Sequence, residues 1–278
     1  MSRLRDYFLV FCLLVLSGTA LAERVYTFGI VPQQSSATLI KTWGPVLQWL
    51  SVRAGVKLAF ATGTDIGAFE QQVAVGTYDF AYMNPYHFTV YNQSPGYHAL
   101  ARAKGETITG ILVVHKDSPI GTLQYLSNAT LVFPAPAAFA ASLLVQAELR
   151  RNGVQFKPKF VHSHNSVYMN VAQKLFPAGG GVPRTFGLLD PQYRDNLRVL
   201  WQSQPYTTHA IAYGPATPAS VVKRVREAMA AMSRDPEGLV LLKEIGFNGF
   251  ETAKDADWDD IRRLGIRPED AQIKVEPD

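Results

Sequence analysis

Cysteine is nearly absent from this sequence: Cys12 is the only one in 278 residues. One thiol excludes an internal disulfide and a cysteine-rich zinc site. The phosphate-loop GxxxxGK[ST], the hydrolase GxSxG and the zinc HExxH motifs are also missing. The formal net charge is only +4, which is too weak to indicate nucleic-acid binding. These absences favour a binding protein without metal or cofactor over an enzyme.

Long apolar runs are confined to the N-terminus. Residues 1–22 combine Arg3 and Arg5, an apolar run from Tyr7 to Leu16, and a final Ala20-Leu21-Ala22. This order is typical of a cleavable signal peptide, with an uncleaved anchor helix as the alternative. Cleavage would remove Cys12 and leave 256 residues with a net charge of +3. We therefore expect an exported, periplasmic protein without cysteine.

The remaining chain alternates strand and helix patterns. Val25–Val31 predicts a strand, and Leu39–Arg53 carries apolar residues at helical spacing. Ile66–Val75 and Ala137–Arg151 also read as helices, with apolar strand segments between them. Repeated βα units predict an α/β fold of mostly parallel sheets flanked by helices.

Six short segments together resemble the phosphonate/phosphite substrate-binding proteins of ABC importers. They follow the family's order over nearly all of the mature chain: Thr27–Ser36 with Trp43–Leu47, Tyr78–Pro85, Val113–Ile120, Ser163–Ser166, Val199–Ser203 and Asp235–Phe247. The resemblance implies a two-lobed periplasmic binding protein of type II with a two-stranded hinge. Lobe 1 would be 24–112 plus the return segment and C-terminal helices of 206–278, and lobe 2 would be 113–205.

The ligand site departs from the family pattern. The family opens one helix with a Ser-Thr-Ser-Gly run whose hydroxyls hold the phosphonate, whereas this chain has Ala137-Ala138-Phe139-Ala140 there. Ile66 replaces a family tyrosine. Gly179–Phe186 lacks an expected acidic pair and contains Arg184 instead. We therefore expect a small ligand of the phosphonate or phosphite kind, or a less anionic or more aromatic relative of it.

Candidate ligand-binding residues follow strands or start helices. They are Gln33, Ser35, Tyr82, Asn84, Tyr86, Ala138, Phe139, Ala140, His164, Asn165 and Thr207. Five of them have a structural alternative: Tyr82 and Phe139 as core residues, Asn84 as a turn, His164 as a turn histidine, and Thr207 as part of a solvated hinge that also contains Tyr206 and His209.

Three functions compete at this point. The first is a monomeric solute-binding protein that closes on its ligand and delivers it to an ABC permease, without catalysis. The second is a ligand sensor that signals to a membrane histidine kinase. The third is a periplasmic hydrolase or metal enzyme, for which His162 and His164 would face one side of a strand but lack a visible third ligand.

Overall fold

The computed structural model describes residues 24–267 and residue 271. Two β-sheets, of six and five strands, are linked by a two-stranded ribbon. None of the helices in these ranges is long and apolar enough to cross a membrane. The predicted signal peptide, residues 1–22, lies outside the described residues.

The strands and helices are numbered in chain order. The strands are β1 (Val25–Ile30), β2 (Lys57–Thr62), β3 (Phe80–Met83), β4 (His98–Ala103), β5 (Thr107–Ile108), β6 (Ile111–His115), β7 (Thr130–Phe133), β8 (Lys157–Phe160), β9 (Ala178–Gly181), β10 (Leu197–Gln202), β11 (Tyr206–Thr207), β12 (Ala210–Tyr213) and β13 (Phe250–Thr252). The α-helices are α1 (Ser36–Ala54), α2 (Ile66–Ala74), α3 (Pro85–Tyr91), α4 (Val145–Arg151), α5 (His164–Ala172), α6 (Pro183–Gly187), α7 (Pro191–Arg194), α8 (Ala219–Met232), α9 (Pro236–Glu244) and α10 (Asp259–Arg262). Short 3₁₀ turns span Leu123–Leu126 and Asp255–Trp258, and a π-helix, Phe139–Leu144, runs directly into α4.

Each sheet contains both parallel and antiparallel pairs. In the first sheet, ordered β13-β4-β12-β3-β1-β2, β1 is parallel to β2 and β3, whereas β12 is antiparallel to β3 and β4. In the second, ordered β10-β6-β9-β7-β8, β7 is parallel to β8 and β9, whereas β6 is antiparallel to β9 and β10. The expected α/β fold is present, but the sheets are less parallel than predicted. Strands β6 and β12 directly follow the links between the sheets, and β10 directly precedes one, so these three strands lie next to the links. Only βα crossovers enforce parallel pairing.

The ribbon that links the sheets is formed by β5 and β11. Its register pairs Ile108 with Tyr206. Beside it, Gly110 and Ser203 exchange two hydrogen bonds of 2.9 Å, which tie the outgoing and returning chains together. The division into lobes at 112/113 and 205/206 stays a prediction. Because β6 begins at Ile111, the strands suggest a first boundary slightly earlier in the chain.

Helix α1 shows how the sequence pattern produces a packed element. Ser35 caps its start by accepting a hydrogen bond from the Thr38 amide, and Gly55 ends it with a positive φ of 60°. The apolar residues at helical spacing all lie in the core: Leu39, Trp43, Val46, Leu47 and Leu50. The predicted helix is therefore confirmed, with slightly wider bounds.

The glycines of β9 allow a helix to pack against the second sheet backbone to backbone. Gly179–Gly181 belong to this strand, which is fully buried. A Cβ at Gly180 would overlap the carbonyl oxygen of Ala141, and one at Gly110 would overlap that of Ala140. These two glycines therefore let the π-helix lie directly on the strands and bring its first residues to the gap between the sheets.

We predict that Gly180→Ala lowers the free energy of unfolding by about 1–3 kcal/mol or more, because the added methyl group displaces the π-helix. Urea denaturation measures this. Gly44→Ala is the matched control, since the new methyl group meets nothing within 4 Å on α1. It should stabilise the protein by about 0.5–1 kcal/mol. A Gly180→Ala protein as stable as the wild type would contradict the packing.

Candidate functional site

A small cavity lies between the two sheets, beside the ribbon. It is lined by polar side chains, by the start of the π-helix, and by apolar walls from Val31, Ile66, Ile108 and Val182. Its volume is about 10 Å³, close to the minimum that holds one water molecule. The sheets are thus closed tightly over this site.

The start of the π-helix forms one side of the cavity. Residues Ala138–Ala141 line it. The amides of Ser142 and Leu143 both donate to the Ala138 carbonyl, at 2.7 and 3.3 Å. The amides that precede them belong to the first turn, where helix N–H groups lack partners within the helix. Because helix residues 139–151 are continuous, their N-terminal end presents backbone donors and a partial positive charge suited to an anion.

Four polar side chains from the two sheets complete the lining: Gln33, Asn84, His164 and His209. Asn84 caps α3 by accepting from the His87 amide at 2.8 Å. Its Nδ2 donates to the Ala137 carbonyl at 3.0 Å, which connects the first sheet to the helix on the second. The His164 amide donates to the Gln33 carbonyl at 3.2 Å, again from one sheet to the other. The closed arrangement therefore draws donors and acceptors from both sheets to one point.

Both histidines of the cavity are neutral near pH 7. Burial, reinforced by the charge of Arg184, lowers the pKa of His164 from 6.5 to about 3. Burial and the same arginine also hold the pKa of His209 well below its usual value, with smaller contributions from His164 and His87. Each ring therefore offers one donor and one acceptor. The Nδ1 of His164 faces the Thr185 hydroxyl at 3.1 Å, which leaves its Nε2 for a ligand.

Arg184 lies just behind the cavity, in contact with the lining residue Gln33. It extends from α6 towards the first sheet, where its guanidinium donates to Gln33 Oε1 and, at 3.5 Å, to the Ile245 carbonyl. The same group lies over the rings of Tyr82, at 5.8 Å, and Phe247, at 6.0 Å. Its charge therefore reaches the cavity through Gln33.

Six of the predicted ligand-binding residues line the cavity. They are Gln33, Asn84, Ala138, Phe139, Ala140 and His164. Phe139 is buried and meets Tyr206 of the ribbon edge-on, with ring centroids 5.6 Å apart. A role for these six residues in binding stays a prediction.

The other five predicted residues lie elsewhere. Ser35 caps α1, and Tyr82 is stacked against His209 with centroids 4.9 Å apart, outside the lining. The Tyr86 hydroxyl donates to the Ile266 carbonyl at 3.3 Å. Thr207 donates its amide to Asp260 and its hydroxyl to the Asp257 carbonyl. Asn165 follows His164 in α5, and its Oδ1 is buried without a hydrogen-bond partner among the described residues.

The lining also contains residues that are not among the predicted ligand-binding residues: Val31, Ile66, Ile108, Ala141, Val182 and His209. His209 directly precedes β12, which lies beside β3 in the first sheet. No local pattern indicates that neighbourhood, because the pairing joins segments 130 residues apart. The idea that His162 and His164 face one side of a strand is wrong. His162 follows the end of β8 with a positive φ of 70°, and His164 starts α5. Within the described ranges, no three His, Cys, Asp or Glu residues are grouped so as to hold a metal.

A family model for the periplasmic substrate-binding protein of phosphonate ABC transporters matches residues 28–258. The chain belongs to this family. Its members are periplasmic binding proteins of ABC transporters rather than enzymes, which confirms the predicted resemblance and its functional class. The phosphonates-binding periplasmic protein of Escherichia coli (strain K12) is 22% identical over 280 residues, covering 91% of this chain and 79% of that protein.

Two solved structures of phosphonate-binding proteins share the fold. PhnD1 from Prochlorococcus marinus (MIT 9301), solved in complex with methylphosphonate, has a TM-score of 0.80 and 17% identity, covering 87% of this chain and 97% of that one. A binding protein component of an ABC phosphonate transporter from Pseudomonas aeruginosa has a TM-score of 0.80 and 18% identity, covering 87% of this chain and 86% of that one. The type II periplasmic binding protein fold is thereby confirmed.

The low pKa values of His164 and His209 predict that this family member loses stability on acidification. Below pH 6.5 the unfolded chain binds protons on these histidines that the folded protein does not. The free energy of unfolding should therefore fall by up to about 1.4 kcal/mol per pH unit for each histidine. Urea denaturation between pH 7.5 and 5 measures this slope.

The double variant His164→Asn/His209→Asn should flatten the pH dependence. An equal slope in the wild type and the double variant would show that the two cavity histidines are not the groups responsible.

Proposed function

We propose that this protein captures a small oxyanion of the phosphonate or phosphite class between its two lobes and delivers it to the permease of an ABC importer. One observation carries the proposal. The start of helix 139–151 and the polar groups of Gln33, Asn84, His164 and His209 converge on one cavity from both sheets. Backbone amides and neutral polar side chains are the groups that bind an anion without a formal counter-charge.

Capture by lobe closure is supported by the bonds that cross the cavity. Asn84 reaches the Ala137 carbonyl, and the His164 amide reaches the Gln33 carbonyl, so each bond joins the first sheet to the second. The ribbon of β5 and β11 is the short connection about which the lobes would rotate. A ligand that bridges the same groups would favour the closed form by its differential affinity for that form.

The lining also restricts the ligand. None of the residues that line the cavity carries a carboxylate, so nothing in it can pair with an amino group on the ligand. Because the closed cavity measures only about 10 Å³, its apolar walls of Val31, Ile66, Ile108 and Val182 must move apart to admit a tetrahedral head group, and must move further for any larger ligand. The site therefore suits phosphite or methylphosphonate better than 2-aminoethylphosphonate.

Transport is favoured over sensing, because the matched family and relatives are transporter components. Within this proposal, residues 1–22 direct export and are removed, and the mature protein acts as a monomer. Its partner is the inner-membrane permease.

A thermal-shift screen of residues 23–278 tests the ligand class. Phosphite and methylphosphonate should raise the melting temperature, because at a concentration 100 times the Kd a ligand stabilises the folded protein by about 2.7 kcal/mol. The panel also contains alternative ligand classes: phosphate, methylsulfonate, arsenite and aromatic acids. No shift with any oxyanion, or a shift as large with 2-aminoethylphosphonate as with methylphosphonate, would contradict the proposal.

We predict that His164→Ala weakens binding of the best oxyanion about tenfold or more, because the cavity loses one of the four polar side chains that line it. Isothermal titration calorimetry measures the affinity. His98→Ala removes an exposed histidine away from the cavity and should bind as the wild type does. If both variants bind equally well, the ligand does not occupy this cavity.

A further inference from the structure

Arg184 lies on one side of the gap between the sheets but makes its hydrogen bonds on the other side. It belongs to α6 beside the second sheet, yet the hydrogen bonds of its guanidinium go to Gln33 and the Ile245 carbonyl, which belong with the first sheet. It does not line the cavity, so it does not contact a ligand there directly.

The contact with Arg184 fixes the orientation of the Gln33 amide. An arginine has donors only, so the Gln33 atom that it meets must be the carbonyl oxygen, Oε1. The amide nitrogen then points to the other neighbour, the Nε2 of His209, at 3.0 Å. A glutamine without the arginine could rotate by half a turn and exchange the two atoms.

The orientation of Gln33 in turn fixes the proton on His209. A side-chain amide nitrogen donates and does not accept, so His209 Nε2 must be the acceptor and carry no proton. Since burial keeps this ring neutral, its one proton is on Nδ1. The ring is held flat against Tyr82, with an interplanar angle of 19°. The Nδ1 atom has no hydrogen-bond partner within the described part of the chain, and His209 lines the cavity.

We propose that Arg184 is a positioning residue for ligand binding: across the cleft it orients the Gln33 amide and thereby fixes His209 as the tautomer with its proton on Nδ1. The cavity then presents an N–H donor for a ligand oxygen when the lobes are closed. In the open form Arg184 and Gln33 separate, and the ring is no longer held in this tautomer. The inference rests on the proposed function only in assuming that the cavity receives a ligand.

The tautomer can be measured without any ligand. Asp65 and His162 face each other across the mouth of the cleft, with Oδ2 and Nδ1 3.9 Å apart. Both are replaced by cysteine, and a short bis-maleimide joins them, which holds the lobes closed. A long-range ¹H–¹⁵N spectrum of the locked protein at pH 7.5 then reports the protonated nitrogen of each histidine. His209→Gln identifies the His209 signals.

The locked parent protein should show His209 protonated on Nδ1. Arg184→Met should shift the ring towards the Nε2–H tautomer, and Gln33→Leu should do the same without altering the arginine. Arg184→Lys keeps a donor for Gln33 and should retain the parental tautomer. Arg194→Met, an arginine on neighbouring α7, is the control and should change nothing.

A parent protein with its proton on Nε2 would overturn the inference. So would a folded, locked Arg184→Met protein with an unchanged His209 signal. Failure of the two cysteines to cross-link would also contradict it, because the lobes would then not close as the structure has them.

Binding of phosphite to the unlocked protein tests the consequence. Arg184→Met and Gln33→Leu should each weaken the affinity about tenfold, and the double variant should be little weaker than either. Fully additive losses would mean that Arg184 acts on the ligand by its charge alone, and would overturn the positioning role. If no oxyanion binds the wild type while the tautomer results hold, the proposed ligand fails and the positioning of His209 stands.

Discussion

The close approach of a helix backbone to two glycines of the second lobe and the hinge is the constraint on which the site depends. Gly180 in β9 and Gly110 beside the hinge ribbon leave room for the carbonyl groups of the π-helix, Phe139–Leu144. Any side chain there would push the helix away from the second sheet. Because the helix lies flat on these strands, its first turn reaches the gap between the sheets, where polar groups of the first sheet meet it. π-Helical turns are rare and occur often at functional sites, which fits this position.

The electrostatics of the cavity follow from its closure. Desolvation keeps His164 and His209 uncharged, and Arg184 adds to this effect from behind. An anion would therefore be held by dipoles and hydrogen bonds, with one cation at a distance. Such a site has no charged lining group to desolvate on closure, which limits the cost of burial. It also gives up the charge-assisted contacts that usually bind oxyanions most tightly.

Sequence patterns predicted the parts of the fold that local spacing determines, such as α1 and the strand ends that carry Gln33 and Asn84. The ordered resemblance over the whole chain then supplied the two-lobed fold. Long-range pairing could not be predicted from single segments. For this reason the sequence did not indicate that His209 lines the cavity. It also did not indicate why β9 needs glycines, because they pack against a helix about 40 residues earlier in the chain. The replacement of the hydroxyl run by Ala137–Ala140 was visible in the sequence. The π-helical turn that follows, with Phe139 buried against the hinge, was not.

A crystal structure of the protein grown with methylphosphonate or phosphite shows whether an oxyanion binds between the sheets at the start of helix 139–151. We expect density for the anion within hydrogen-bond distance of the backbone amides of residues 139–141 and of His164, with both lobes contributing contacts. An anion bound elsewhere on the surface, while this cavity stays as small as it is here, would contradict this expectation.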